Sequence, residues 1–293
     1  MQPKIGFIGL GKVGYTLARL LDKAGYEIVA VYNRRSLRAT DLAKAINTHA
    51  TQSMAELVQQ ADLIIVAVSD DAIQHIAKQL ASLNLSNKAV IHTSGAISFE
   101  PLQSLIEQGA MIGSLHPVFP FVDFADSEAT TNNLQGITFA IEASDTKLQS
   151  WLQQLISALD GQTIMIPTGQ KALYHAALVI TSNYSVTLYA IAQQLLQSIS
   201  ADTDAINHAL HTLLQATVDN IAQKGIPDAL TGPLVRADSG TIQSHIHALN
   251  DDMLRQTYIR LAQLSLPMVQ QRGIDTHTLE TILQDSYETL DDS

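Results

Sequence analysis

The 293-residue chain is acidic, with 17 Lys and Arg against 28 Asp and Glu, a formal net charge of −11 at pH 7 and a pI near 5.2. This charge disfavours nucleic acid and anionic membranes as partners, and we predict neither. The absence of Cys excludes disulfides and thiolate metal sites and is typical of a cytoplasmic protein. A 46% hydrophobic share supports a large core, and the length accommodates two domains of ordinary size.

The N-terminal segment and the most apolar segment of the chain both favour a cytoplasmic location. The first predicted strand starts so close to Met1 that no room is left for a signal peptide. The most apolar long segment, 171–196, contains His, Thr, Ser and Asn, so we interpret it as a buried helix and not as a membrane span. We therefore expect a cytoplasmic protein.

A glycine-rich motif lies at the start of the chain. Within residues 4–14, an apolar strand leads into Gly9, Gly11 and Gly14, and Tyr15–Ala24 has the pattern of a helix. In a dinucleotide-binding turn the first glycine allows the tight turn, the second admits the pyrophosphate, and the third lets helix and strand pack closely. The loop residues predicted to contact the cofactor are Gly9, Leu10, Gly11, Lys12, Val13 and Gly14.

The residues after the second predicted strand, Glu27–Tyr32, indicate which dinucleotide binds. An NAD site has a carboxylate here for the ribose hydroxyl, whereas an NADP site supplies arginine to the 2′-phosphate. This chain has Asn33 in the acidic position, followed by Arg34 and Arg35. We predict that all three contact NADP(H), although a solvated basic turn would have the same composition.

Strands and helices alternate over the first half of the chain. Further strands are predicted at 48–50, 62–68, 89–92, 111–115, 137–142 and 163–166. The fold class predicted is α/β, a Rossmann-type, doubly wound, mainly parallel sheet followed by a separate all-α C-terminal domain. Because ligands bind at the carboxyl ends of such strands, Val68, Ser69 and Ser94 are further predicted cofactor contacts. We also expect Ser69, Asp70 and Asp71 to be able to cap the helix predicted at 72–80.

Almost no strand signal follows Pro167. Helices are predicted at 170–199, 205–224, 241–249, 252–271 and 276–283. We therefore divide the chain into a cofactor domain, 1–167, and a helical domain for substrate binding and dimerisation, 168–293. Apolar faces on these helices favour a homodimer.

One stripe of the long helix at 170–199 carries the predicted chemistry. With Thr168 as the N-cap, Lys171 lies in the first turn, where the helix dipole disfavours a cation. His175 and Ser182 follow on the same face, and Asn183 borders it. Carbonyl reduction needs an acid beside the developing alkoxide, so Lys171, His175 and Asn183 are predicted to be catalytic and Ser182 to bind substrate. Polar groups satisfied within a core are the competing interpretation.

Three residues outside that helix are predicted to bind the substrate. Ser94 and His116 follow predicted strands and so approach the crevice. His116 could equally be fixed in a proline-rich turn. Arg236, two residues before Asp238, could hold an anionic substrate or form an internal ion pair with that aspartate. No histidines and carboxylates repeat at a metal-ligand spacing, so no metal is predicted.

Several motifs together resemble a known bacterial family. They are Gly-Phe-Ile-Gly-Leu-Gly-Lys-Val-Gly at 6–14, His-Thr-Ser-Gly at 92–95, Leu-His-Pro at 115–117, the segment 171–184, and Leu-Thr-Gly-Pro at 230–233 with Arg236 and Asp238. That family joins a Rossmann-like NAD(P)-binding domain to a helical domain of unknown function, within the 6-phosphogluconate dehydrogenase-like superfamily. The resemblance covers nearly the whole chain, and some members act as alternative ketopantoate reductases.

The resemblance implies a function and a role for one residue. Related hydroxyacid dehydrogenases carry a catalytic lysine where this chain has Lys171, with asparagine where it has His175. We expect an NADPH-dependent oxidoreductase that transfers hydride to the carbonyl of a small 2-oxo acid, with ketopantoate as the leading candidate. The alternatives are a prephenate- or pyrroline-carboxylate-type dehydrogenase, the first because of the His116-Pro117 pair, and a non-catalytic NADP(H)-sensing protein.

Overall fold

The computed structural model describes residues 2–121 and 135–291. The chain forms two compact units, Met1–Val186 and Thr187–Ser293. The domain boundary expected at 167/168 stays a prediction. The strands of the first unit are β1 Ile5–Ile8, β2 Ile28–Tyr32, β3 His49–Thr51, β4 Leu63–Val66, β5 Ala89–His92, β6 Met111–Pro117, β7 Thr138–Ala143 and β8 Gln162–Met165.

These strands form one sheet in the order β3-β2-β1-β4-β5-β6-β7-β8. All neighbours are parallel except β6 and β7, which are antiparallel. The strand order reverses between β1 and β4, which is the switch point where a doubly wound sheet binds its ligand. The predicted Rossmann-type, mainly parallel sheet followed by a helical region is confirmed.

Helices cover both faces of this sheet. They are α1 Lys12–Lys23, α2 Ser36–Ala45, α3 Met54–Gln60, α4 Asp70–Leu80 and α5 Thr146–Ala158, with a 3₁₀ helix at Glu100–Gln108. A further helix, α6 Lys171–Thr181, follows β8, and Lys171 is its buried residue. Because both faces are covered, successive residues of a central strand enter opposite cores. In β4, for example, Leu63 and Ile65 belong to one hydrophobic cluster and Ile64 and Val66 to the other.

The 3₁₀ helix is absent from the sequence-based prediction. It begins with a proline in its first turn, and its buried residues, Leu102 and Leu105, are three positions apart. That spacing is the 3₁₀ period and gives no clear signal at the α-helical period.

The single helix predicted at 170–199 is wrong. The structure has two helices there, α6 and α7 Asn183–Gln197, which meet at Ser182. Two hydroxyls near the break bond to the preceding turn: Thr181 Oγ1 to Ala177 O at 3.1 Å and Ser185 Oγ to Thr181 O at 2.7 Å. Such bonds compete with the helical pattern and bend helices.

The second compact unit is helical in the part of the chain that is described. Beyond the remainder of α7 it contains α8 Thr203–Lys224, α9 Ser239–Ala248, α10 Asp252–Gln271 and α11 His277–Asp291. Its core is a cluster from α9, α10 and α11: Ile242, Ile246, Ile259, Ala262, Leu266, Leu279 and Leu283. No helix among the described residues combines the length and apolarity needed to cross a membrane.

Candidate functional site

The three glycines of the turn after β1 differ in their surroundings. Gly9 has φ +90°, and a Cβ on it would lie 2.5 Å from Ala67 O. A Cβ on Gly14 would lie 2.3 Å from Gly9 O, so this glycine lets α1 approach the strand. A Cβ on Gly11 would meet nothing within 4 Å. Gly9 and Gly14 thus shape the turn, while Gly11 leaves open space where a pyrophosphate backbone contact is needed.

A cavity of about 680 Å³ lies at the carboxyl ends of β1, β2 and β4. Its size is that of a small-molecule or cofactor site. It is lined by Ile8, Gly9, Leu10, Gly11, Lys12, Val13, Tyr32, Asn33, Arg34, Met54, Ala67, Val68, Ser69, Ala72, His75, Ile76, Gln79, Thr93 and Phe121. The N-terminus of α1 faces it through Gly11, the N-cap residue, and offers backbone N–H groups to an anion. The residues present therefore fit a dinucleotide.

Asn33 ties the two cofactor loops together. Its Oδ1 accepts from Leu10 N at 3.2 Å, and its Nδ2 donates to Arg35 O at 2.9 Å. The amide therefore uses both its acceptor and its donor, which a carboxylate could not do. Arg34 is exposed and lines the cavity, whereas Arg35, the N-cap of α2, is exposed and does not.

Of the other three predicted cofactor contacts, two line this cavity and one does not. Val68 and Ser69 line it. Of the three predicted capping residues, Ser69 occupies the N-cap position of α4 without a capping hydrogen bond from its hydroxyl, and Asp70 and Asp71 lie in the first turn. Ser94 lines neither described cavity, because its Oγ turns to accept from Ala96 N at 3.2 Å and Ile97 N at 3.0 Å.

A second cavity, of about 360 Å³, adjoins the end of β6 and the helix α6. It is lined by His116, Val118, Phe119, Pro120, Phe121, His175, Leu178, Val179, Thr181, Ser182 and Asn183. Phe121 lines this cavity and also the cofactor cavity. Four predicted site residues are thus together: His116, His175, Ser182 and Asn183. This cavity is named the substrate cavity below.

Lys171 lies under this region in a buried ion pair. Lys171 is the first residue of α6, as expected, but the N-cap of this helix is Gln170 and not Thr168. The Lys171 Nζ lies 2.8 Å from Ser114 Oγ and 3.3 Å from Glu142 Oε2, and the Ser114 hydroxyl donates to the same oxygen at 2.8 Å. Burial lowers the pKa of Lys171, and the adjacent Glu142 carboxylate partly offsets that effect.

The buried position differs from the direct substrate contact predicted for Lys171. Its side chain is 3% exposed and lines neither described cavity. The expected stripe is thus divided: Lys171 points into the interior, and His175 and Ser182 border the substrate cavity. Helical periodicity predicts a common face but not the depth of each side chain.

His116 has its ring held on two sides. It lies within β6 and not in the turn after it, and its Nδ1 is 2.7 Å from Tyr174 Oη. On the other side, a Cβ on Gly95 would lie 2.7 Å from His116 Nε2, so only glycine fits there. Burial, followed by the nearby Lys171, lowers the pKa of His116 to about 4. Burial also raises the pKa of Tyr174 to about 12, so both groups are neutral near pH 7.

His92 supports the loop that contacts His116. Its Nε2 is 2.9 Å from Ser98 O, and its Nδ1 accepts from Ser94 N at 3.2 Å. Because a carbonyl can only accept, the proton is on Nε2 and the ring is neutral. Burial lowers the pKa of His92 to about 4. This fully buried histidine therefore fixes residues 93–98 at the end of β5.

The region predicted to bind an anion through Arg236 belongs to the second compact unit. Arg236 is exposed in the turn before α9. Asp238 is the N-cap of α9, accepting from Thr241 N at 3.0 Å and Thr241 Oγ1 at 2.7 Å. These bonds, more than Arg236, lower the pKa of Asp238. Within residues 2–121 and 135–291, no cluster of three or more His, Asp or Glu could hold a metal.

Three residues of this arrangement were missed by the sequence analysis: Ser114, Glu142 and Tyr174. A signal was present, because Ser114 and Glu142 are polar residues within the mostly apolar strands β6 and β7. A buried charge in a strand interior needs a partner. Their pairing across β6 and β7 depends on the sheet register, which places Ser114 opposite Glu142.

The comparisons with known proteins divide along the chain. Residues 4–95 match the family described as NADP oxidoreductase coenzyme F420-dependent, and residues 137–265 match a domain of unknown function, DUF2520. A candidate NADP oxidoreductase from Bacteroides fragilis is 26% identical with a TM-score of 0.71, over 90% of this chain and 97% of that one. A protein from Thermotoga maritima is 22% identical with a TM-score of 0.72, over 92% and 100%.

Two curated relatives differ in how much they match. Pyrroline-5-carboxylate reductase from Methanosarcina acetivorans is 22% identical over 87% of this chain and 93% of that protein. Glycerol-3-phosphate dehydrogenase from Protochlamydia amoebophila is 31% identical over 106 residues, which span only 32% of each protein. The chain thus spans about a third of the length of the glycerol-3-phosphate dehydrogenases that it matches.

Fold, glycine turn and comparisons together define a class: the chain is an NAD(P)-dependent oxidoreductase of the Rossmann type. Within that class, it combines an NADP-oxidoreductase cofactor domain with a DUF2520 domain, as the resemblance in the sequence implied. The prediction of NADP(H) as cofactor is confirmed at the level of this family.

Proposed function

We propose that this chain uses NADPH to reduce the carbonyl of a small 2-oxo acid, with ketopantoate as the first candidate. The observation that carries the proposal is that Phe121 lines both the cofactor cavity and the substrate cavity. When bound, NADPH supplies the hydride. A reactive carbonyl in the adjoining cavity would then face His116 and His175, which are polar groups able to donate to its oxygen.

The chain's own residues divide this work. The glycine turn and the N-terminus of α1 hold the pyrophosphate, and Arg34 takes the 2′-phosphate. Ser182, Asn183 and His175 orient the substrate in the proposal. Lys171, buried beside Glu142, acts through its charge and not by contact. Arg236 stays a sequence-based prediction for the carboxylate.

A second candidate is reduction of a carbon–nitrogen double bond. Two observations favour it. The match to pyrroline-5-carboxylate reductase extends over most of both chains. In addition, the substrate cavity contains no Lys or Arg among its described lining residues, so it provides neutral donors and apolar contacts. A cyclic imine needs less anion binding at the reacting end than a 2-oxo acid does.

A substrate panel distinguishes these proposals. NADPH oxidation is followed by absorbance with ketopantoate, other 2-oxo acids and 1-pyrroline-5-carboxylate, with NADH in parallel. Turnover of ketopantoate supports the first candidate, and turnover of the pyrroline alone supports the second. Tight NADPH binding without turnover of any compound would overturn both and favour the NADP(H)-sensing alternative.

The homodimer expected from the sequence is part of this proposal. No residue of α7 is buried, and in the 22-residue α8, all of which the structure describes, only Ile206 is buried. Residues 172–201 contain no Asp, Glu, Lys or Arg, so a neutral apolar surface is presented. A second copy, which carries the same neutral surface, would cover it. Light scattering should give twice the monomer mass, and Leu213→Glu with Val218→Glu should give a monomer.

The cytoplasmic location stays a prediction.

A further inference from the structure

His116 has one ring nitrogen engaged and one available. Its Nδ1 lies 2.7 Å from Tyr174 Oη, and the described residues provide no hydrogen-bond partner for Nε2. The ring borders the substrate cavity, and only the missing side chain of Gly95 makes room for the Nε2 edge. An unpaired nitrogen beside a cavity is available to a ligand.

Resting on the proposed function, we propose that His116 donates a proton from Nε2 to the oxygen of the reduced carbonyl, and that Tyr174 positions it by donating to Nδ1. His116 is then the catalytic residue, since it touches the substrate. Tyr174 is a positioning residue. The buried lysine, which sequence reasoning placed at the carbonyl, acts from behind them.

The direction of the His116–Tyr174 bond follows from proton counting. A neutral imidazole has one N–H, so Nδ1 is either donor or acceptor. Within the described residues, the Tyr174 hydroxyl has no other hydrogen-bond partner, and its proton can be used only by donating to Nδ1. Nδ1 is then the acceptor, and the imidazole proton is on Nε2.

Most of the groups around His116 favour the neutral form of its imidazole. Lys171 and His175, both on α6, disfavour an imidazolium, and Asp70 on α4 weakly favours one. Burial acts in the same sense as Lys171 and is the larger effect. The ring therefore acts as a neutral donor, as electrophilic imidazoles do in other enzymes.

The proton transfer balances as follows. Hydride addition at the carbonyl carbon breaks the C=O π bond and leaves its electron pair on oxygen. That oxygen takes the Nε2 proton, while Nδ1 takes the phenol proton of Tyr174. Water in the substrate cavity then reprotonates Nε2, and Nδ1 returns its proton to the Tyr174 phenolate, which restores the starting state. Lys171 Nζ lies 5.7 Å from the centre of the Tyr174 ring, where its charge stabilises the phenolate in the interval.

The first test needs no substrate. Nitrogen NMR of the full chain with labelled histidine, with His116 assigned from His116→Gln, reports which ring nitrogen carries the proton. We expect a neutral ring protonated on Nε2 near pH 7. Tyr174→Phe should shift the Nδ1 resonance toward that of a nitrogen without a hydrogen bond. A proton on Nδ1, or an imidazolium near pH 7, would overturn the proposal.

The second test uses NADPH and ketopantoate. His116→Gln should lower kcat by about a hundredfold or more, as loss of a general acid does. NADPH affinity should be unchanged, because His116 does not line the cofactor cavity. Tyr174→Phe should lower kcat less and leave KM nearly unchanged. His175→Gln, on the same cavity, is the matched comparison and should mainly raise KM.

A kcat for His116→Gln within about threefold of wild type would overturn the inference, since general acids contribute far more. If the wild type reduces no compound of the panel while NMR shows the Nε2 proton, the proposed function fails and, with it, the donation to a carbonyl, while the position of the ring proton and the Tyr174 contact stand. If ketopantoate is turned over and the His116 proton is on Nδ1, the proposed function stands and the assignment of His116 as the proton donor fails.

Discussion

Lys171 Nζ lies 3.3 Å from Glu142 Oε2, and the two side chains are 3% and 2% exposed. The pair joins the first residue of α6 to the next-to-last residue of β7, the strand that pairs with the His116 strand β6, so it fixes the start of that helix beside these two strands. Glu142 Oε1 is buried without a hydrogen-bond partner among the described residues, so the pair is not fully satisfied. Substituting Lys171 or Glu142 therefore tests how much the pair contributes to the free energy of unfolding.

Breaking the pair on one side should destabilise the protein strongly. Lys171→Met and Glu142→Gln each leave the other group buried without its partner, which costs about 3–5 kcal/mol. The double variant restores neutrality, so we expect it to lose less than the sum of the two single losses. Urea unfolding of the four proteins measures this coupling. Additive losses would show that the pair does not act as a unit.

Substitutions in the glycine turn should separate folding from cofactor binding. Gly9→Ala places a methyl 2.5 Å from Ala67 O at φ +90°, so we expect a lower free energy of unfolding and lost NADPH binding. Gly11→Ala meets no atom within 4 Å, so the same unfolding experiment should show little change. Its NADPH affinity should fall about tenfold or more, because the methyl occupies space needed by the pyrophosphate. Normal NADPH affinity in Gly11→Ala would place the pyrophosphate elsewhere.

The preference for NADPH over NADH should depend on Arg34 and not on Arg35. Arg34 lines the cofactor cavity, and its neighbour does not. Losing one charge-assisted contact to a phosphate costs about 1.5–3 kcal/mol, so Arg34→Ala should weaken NADPH binding roughly tenfold to a hundredfold. NADH binding should be unaffected, and Arg35→Ala is the matched control. Calorimetric titration measures all four affinities, and equal losses for both dinucleotides would contradict this assignment.

Stability should fall in mildly acidic solution because His92 and His116 are held neutral. Both have a pKa of about 4 in the folded protein against 6.5 in the reference state. Between these values the unfolded chain binds more protons than the native one, so the free energy of unfolding decreases as pH falls from 6.5 to 4.

For fully buried His92 the loss should approach about 3 kcal/mol at the acidic end. His92→Gln should be less stable at neutral pH but should show a shallower dependence on pH. Chemical denaturation over this range measures the slope, with His208→Gln, at an exposed site on α8, as the control. An unchanged slope in His92→Gln would show that this histidine is not the group responsible.

The sequence predicts the sheet well because its signals are local. Each of the eight described strands overlaps a predicted one, most of them are apolar runs, and Gly9, Gly11 and Gly14 identify the cofactor end directly. The exact pairing of β6 with β7 in antiparallel orientation is not local, since it depends on how distant segments meet. The break at Ser182 was missed for a related reason, because hydroxyl bonding within a helix leaves the apolar pattern intact.

The sequence predicted which residues belong to the candidate site but not which of their side chains are buried and which line the cavity. His116, His175, Ser182 and Asn183 do border one cavity. Lys171 lies beneath it, because Glu142, a residue 29 positions earlier in the sequence and on another element, provides its buried partner. Periodicity along one helix contains no information about that carboxylate, so the ion pair could be recognised only from the folded structure.

Hydride transfer from NADPH is the central claim, and isotope transfer tests it most directly. The full chain is incubated with the substrate found in the panel and with NADPH deuterated at the transferring position of the nicotinamide, and the product is analysed by mass spectrometry. We predict that the product carries a single deuterium on the former carbonyl or imine carbon. An unlabelled product, formed with no consumption of NADPH, would contradict the account.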